Sequence, residues 1–179
     1  MTHTTDILHY WFEEIGPDGW WVRSDAVDEE IRTRFGELWN QWRSRTPESF
    51  LGSADEALAG VILFDQFSRN MHRGHADAFS TDSLAIAIAR GAIENGLDRT
   101  VEEDRRCFLY MPFMHSEDLD DQRRSVMLFA ALGNEDNLKY AQDHHDMIKR
   151  FGRFPHRNAV LGRAGRKGEE EAIEAGKDW

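Results

Sequence analysis

The run Arg150-Phe151-Gly152-Arg153-Phe154-Pro155-His156-Arg157-Asn158 gathers cationic donors in a chain whose net charge is -11. Seven of the 22 basic residues lie between Lys149 and Lys167, a stretch with no carboxylate. A guanidinium offers a rigid fork of donors suited to a carboxylate or a phosphate, and His156 and Asn158 add donors and acceptors beside it. Two readings follow. Arg153, Arg157 and Arg163 hold an anionic ligand, or they pair with the protein's own surplus carboxylates.

Three further places put polar residues where a helical pattern asks for core. Asp65-Gln66-Phe67-Ser68-Arg69-Asn70 closes the most apolar stretch of the chain, so Asp65 and Gln66 come near buried depth and need partners. A ligand role and a carboxylate that anchors an arginine between helices both satisfy that need. In Tyr110-Met111-Pro112-Phe113-Met114-His115-Ser116-Glu117 the proline frees backbone carbonyls next to a titratable pair. Ser116 as a helix cap, with Glu117 complementing the dipole, accounts for two of these residues and leaves His115 over. His144 falls on the apolar face shared by Leu138, Ala141, Ile148 and Phe151. There it serves as a hydrogen-bonded core residue or as a titrating group, while His145 points away.

Helices must position all of these. Apolar residues recur at steps of three and four throughout, and no segment alternates with a period of two. The pattern predicts an all-α fold of six or seven helices in stacked antiparallel pairs, one domain over residues 1–179, with 168–179 as a loosely packed tail helix. Thr4-Thr5-Asp6 is expected to cap the first helix, and Gly16-Pro17-Asp18-Gly19 to form the loop that ends it. Ser24-Asp25, Ser53 with Glu56, Ser80 or Thr81, Thr100 with Glu103, Ser116 and Asn134 are expected to start later helices. Gly96, Gly133 and Gly152 stand where left-handed stops belong, and Pro112 should kink or end its helix.

The 179 residues, 40% hydrophobic and 31% charged, suffice for a proper core, to which most of the aromatics are assigned. Cys107 is the single cysteine, and Met1-Thr2-His3-Thr4-Thr5 lacks the flank and apolar run of a secretory signal. A reducing cytoplasm is the expected location. The apolar run from Ala57 to Phe67 is broken by Gly60, Asp65 and Gln66, so no membrane span is expected. The acidic charge opposes nucleic acid and anionic lipid, which favours a small anionic molecule or a peptide as partner. No zinc spacing, nucleophile elbow, phosphate loop or dinucleotide fingerprint is present, so no metal or cofactor is expected.

Asp65–Asn70, Phe108–Glu117 and Phe151–Asn158 with Leu161-Gly162-Arg163 resemble the bacterial family called domain of unknown function 924 over nearly the full chain. The resemblance implies a helical fold similar to tetratricopeptide-repeat proteins and implies no activity. Ser68 stands where proline would be expected, and Ala164-Gly165-Arg166-Lys167 replaces an expected serine-threonine pair.

The reading that joins these signals is one concave pocket. In it Arg69, Arg153, Arg157 and Arg163 hold a small anion, with Asp65, Asn70, Tyr110, Glu117 and Asn158 among its ligands and His115, His144 or His156 titrating nearby. General acid-base or hydrolytic chemistry on a carboxylate or phosphate compound is the least strained reaction for it. Binding without catalysis, a helical groove for a peptide, and purely architectural ion pairs are the alternatives.

Overall fold

A computed structural model describes residues 2–175, and every regular element among them is helical. Among the described residues the packing divides into two compact units, 2–73 with 77–112, and 74–76 with 113–175.

In the first unit, α1 (His3–His9) runs into a π-helical segment (Tyr10–Ile15) and then α2 (Gly16–Trp20). Thr2 caps α1, accepting from the Thr5 N–H at 3.3 Å, so the start falls before the expected Thr4-Thr5-Asp6. Gly16-Pro17-Asp18-Gly19 is not a loop. Gly16, at φ 66°, redirects the chain, and Pro17 sits in the first turn of a new helix, where its preset φ fits and its missing N–H costs nothing. Next come α3 (Asp25–Trp42), capped by Ser24, and α4 (Ala54–Val61), capped by Ser53. A second π-helical segment (Ile62–Phe67) continues α4 and leads into α5 (Ser68–Met71). From Ala57 to Ser68 every residue is buried, as an apolar helix packed on all sides must be. The wider winding alters which carbonyls are used within the helix. Phe64 O is met by the hydroxyls of Ser68 at 2.6 Å and Thr81 at 2.7 Å.

That engagement of Thr81 leaves α6 (Asp82–Glu94) without a side-chain cap. Gly96 then adopts the left-handed conformation expected of it, at φ 69°. Thr100 is not the cap of α7 (Glu103–Met114), because its hydroxyl donates backwards to Leu97 O at 2.8 Å. Pro112 lies inside α7, which stops two residues later. Phe108 of α7 meets Trp11, Phe12 and Trp20 edge-on at ring separations of 4.9 to 5.6 Å.

The second unit is built on α8 (Leu119–Leu132) packed against α9 (Glu135–Phe151), followed by a 3-10 turn (Pro155–Arg157) and α10 (Glu169–Ala175). The cap of α8 is Asp118, which accepts from the Asp120 and Asp121 N–H groups; it is not Ser116. Ser116 instead donates to Asp121 at 2.8 Å. Glu117 turns away from the helix start altogether. Gly133 and Gly152 end α8 and α9 in left-handed turns, and Asn134 caps α9. Of the expected tail helix, residues 169–175 form α10, and 176–179 lie outside the described residues.

Candidate functional site

The candidates in the first unit sit in hydrogen-bonded ties between helices. Asp65, fully buried on the π-helical segment, faces Arg69 at 3.2 Å and accepts from the Gln66 amide at 2.6 Å. The fork of Arg69 spans both oxygens of Asp82, at 2.9 and 3.0 Å, and also donates to Asp65 O. Burial works against the Arg69 charge, but Asp65 and Asp82 outweigh it and raise the guanidinium's pKa. Asn70 donates to Asp28 at 2.7 Å, and Arg73 grips the same carboxylate at 2.6 and 2.9 Å. The Tyr110 hydroxyl donates to buried Asp98 at 2.8 Å, and desolvation with that bond pushes the phenol's pKa up. None of these residues lines the shallow recess of about 220 Å³ in this unit, whose walls include Thr5, His9, Glu13 and Arg105.

In the second unit, the segment after Gly152 carries the chemistry. Phe154, fully buried, is held by both of its backbone polar groups. Its N–H donates to Glu117 at 2.7 Å and its carbonyl accepts from Arg163 at 3.0 Å. Arg163 also spans Glu117 at 2.6 and 3.0 Å and donates to Asn158 at 3.0 Å. Burial would raise the pKa of Glu117, yet Arg163 and the Phe154 N–H hold it below the usual carboxylate range.

Arg153 is the second closed pair. It spans Glu169 at 2.8 Å to each oxygen and donates to Ala164 O, while Asn158 and the Arg166 N–H bond the same carboxylate. Glu169 is 1% exposed, and the Arg153 fork brings its pKa down to about 2. A Glu169→Gln substitution removes the charge from this hub. Amide exchange of Arg166 should then accelerate by roughly ten-fold or more, as followed by hydrogen-exchange mass spectrometry. An unchanged exchange rate would show that the carboxylate does not hold the loop.

Two imidazoles and one guanidinium collect around the Phe154 ring. His144 lies 5.4 Å from it centroid to centroid, His156 5.6 Å, and the Arg157 guanidinium carbon 4.4 Å over its face. His115 completes the group at 6.2 Å from His144. The order along the chain explains the gathering. His115 leaves α7, His144 sits on the buried stripe of α9 with Ala141 and Ile148, and the turn after Gly152 folds His156 and Arg157 back beside them. His144 Nδ1 lies 2.8 Å from Tyr140 O, and since a carbonyl only accepts, this nitrogen carries the proton and Nε2 is the basic site of the neutral ring. Burial first, then His115 and Arg157, holds the His144 pKa well below its ordinary value. Burial and the Arg157 charge bring His156 to about 4. Both rings are neutral at physiological pH. Among the described residues no group of three or more His, Cys, Asp or Glu is arranged to hold a metal ion.

Of the nominated residues, then, His115, Glu117, His144, Arg153, His156, Arg157, Asn158 and Arg163 belong to the second unit, and Asp65, Arg69, Asn70 and Tyr110 to the first. Sequence reasoning passed over Phe154 as the hub, Glu169 and Asp82 as the counter-charges, and Gln122. For Gln122 a signal existed. It lies three residues after Leu119 and seven before Phe129, on the inward stripe of α8.

A family model described as "Bacterial protein of unknown function (DUF924)" matches residues 7–177. Among solved structures, a protein of unknown function from Agrobacterium tumefaciens, ATU0120, is similar at 39% identity with a TM-score of 0.91, covering 97% of each chain. No curated protein matches.

Proposed function

We propose, for a chain that belongs to the DUF924 family of bacterial proteins of unknown function, that the imidazole and guanidinium cluster of the second unit binds a small carboxylate or phosphate anion. Arg157 supplies the charge, and His144 through Nε2, with His115 or His156, supplies acid-base capacity. Glu117, Arg163, Arg153, Asn158 and Glu169 hold the frame. The observation that carries the reading is the pair of neutral imidazoles packed with a buried guanidinium around Phe154. Two histidines against one aromatic ring, with a third against His144, are more than a core needs, since an aliphatic residue fills such space without desolvating a polar ring. A cytoplasmic location belongs to the same proposal, and no described helix is long and apolar enough to cross a membrane.

Inorganic phosphate and propionate provide the test. Each should raise the melting temperature and shift the His144 and His156 ring resonances in NMR spectra, and Arg157→Gln should reduce both effects about ten-fold or more in the concentration required. Neither anion perturbing the rings at tens of millimolar would remove the proposal. The second reading, a helical module for a peptide, draws on Met127 of α8 and Tyr140 of α9, which are 71% and 62% exposed. It predicts that Met127→Glu and Tyr140→Glu abolish partner binding while leaving the histidine resonances in place.

A further inference from the structure

The shallow recess of the first unit, about 220 Å³ in volume, has Thr5, Leu8, His9, Glu13, Asp55 and Arg105 among its walls. Two of its charges are incompletely engaged. Asp55, exposed in the first turn of α4, makes no side-chain hydrogen bond or ion pair with any described residue. Arg105 lies 4.6 Å over the Phe12 ring, donates through Nη2 to Glu13 at 2.9 Å and faces Glu102 with Nε at 3.6 Å. Its Nη1 donates to none of the described residues. The helices bring these two groups in from opposite ends. Helix α4 and its π-helical continuation run to Phe67, whose ring meets Tyr10 and Trp11 at 6.0 and 5.7 Å. Asp55 precedes Phe67 by about 18 Å along that axis, so it reaches the recess from the Thr5 end of α1, on which α4 packs. Arg105 closes the other end at Phe12 and Glu13, with Leu8 and His9 between.

We infer that this recess binds a small amino acid whose ammonium and carboxylate stand at opposite ends of a short chain. The ammonium pairs with Asp55, the carboxylate accepts from Arg105 Nη1, and the methylenes between them lie along Leu8. Charge selects this class. Glu13 is already answered by Arg105, so Asp55 is the carboxylate that the recess leaves uncompensated. An anion alone meets that charge unfavourably, and a cation alone leaves the Nη1 donors unused. A molecule with both charges satisfies both ends. An α-amino acid carries its charges on one carbon and spans neither the length of the recess nor its two partners. The site belongs to the first unit and stands apart from the anion cluster of the second.

Titration of the full-length protein with 4-aminobutyrate, butyrate, butylammonium and glycine, read at the Thr5 methyl and His9 ring resonances in NMR spectra, tests the inference. The zwitterion should half-saturate at a concentration about five-fold below that of butyrate or butylammonium, the worth of one exposed ion pair. Glycine should do no better than either. In Asp55→Asn, 4-aminobutyrate should fall to the level of butyrate. Because the Asp55 carboxylate bonds no described residue, the melting temperature of that variant should stay within about two degrees of the parent. Asp55→Lys should reverse the order and make butyrate the tightest of the four. Either singly charged compound or glycine matching 4-aminobutyrate on the parent chain, or no shift at Thr5 and His9 up to tens of millimolar, would overturn the inference. Butyrate perturbing His144 and His156 while all four leave Thr5 and His9 unmoved would overturn it and support the anion site of the second unit.

Discussion

Arg69→Met should destabilise the chain by about 3–5 kcal/mol, read as a drop in the urea midpoint at pH 7 with an unchanged slope. The guanidinium is the cation that fully buried Asp65 faces at 3.2 Å, and its fork on Asp82 is the tie between α5 and the first turn of α6. Methionine fills much of the same volume and supplies no charge. The Asp65 carboxylate would then keep its bond from the Gln66 amide at 2.6 Å and lose the guanidinium charge that offsets its desolvation. Adding Asp65→Asn should recover at least half of the loss, because a neutral amide in that place can still bond Gln66 and needs no counter-charge. A cost below about 1 kcal/mol would place the pair among surface-like contacts and remove the architectural role assigned to it.

Stability of the unmodified protein should fall as the pH drops from about 6.5 toward 4. His144 and His156 have folded-state pKa values below the ordinary 6.5, with His156 at about 4. Between the folded and unfolded values the unfolded chain binds protons that the folded chain refuses, so unfolding gains on the acid side. Each such proton is worth up to about 1.4 kcal/mol per pH unit, less for His156 because it is partly exposed. The carboxylates act elsewhere. Glu117 and Glu169 have lowered folded values, so their stabilisation is present above their ordinary 4.5 and is lost only as the pH falls below it, for Glu169 through about 2. The window from pH 6.5 to 5 therefore isolates the histidines. Urea midpoints across it should slope upward with pH in the parent chain, flatten partly in His156→Gln and more in His144→Gln. A flat parent profile would mean that the imidazoles are solvated, and the neutral cluster around Phe154 would not exist.

Helix ends were legible wherever a single turn contains the whole device. Ser24, Ser53 and Asn134 accept from backbone N–H groups three residues on, and Gly96, Gly133 and Gly152 turn left-handed at helix stops. Thr81, Thr100 and Ser116 had the right type and spacing and went elsewhere, because a hydroxyl also donates: to Phe64 O, to Leu97 O and to Asp121. Which of these a hydroxyl prefers depends on what the fold brings beside it. The π-helical winding of Ile62–Phe67 left no sequence mark that we recognised, although it sets the place of Asp65 and Gln66.

Composition, the spacing of apolar residues and the three motifs by themselves determined an all-helical chain and its family, and singled out the arginines and histidines as the residues that break the helical rule. Such features depend on neighbours within a few positions, so they are written locally. The pairings were decided by tertiary structure. Arg69 meets Asp82 across 13 positions, Arg153 meets Glu169 across 16 and Arg163 meets Glu117 across 46. With 33 carboxylates in the chain, charge alone leaves every arginine many candidate partners, and only the packing of the helices brings one within 3 Å. The same packing gathers His144, His156 and Arg157 on one buried ring with His115 against His144, and burial is the first cause that lowers the His144 and His156 pKa values.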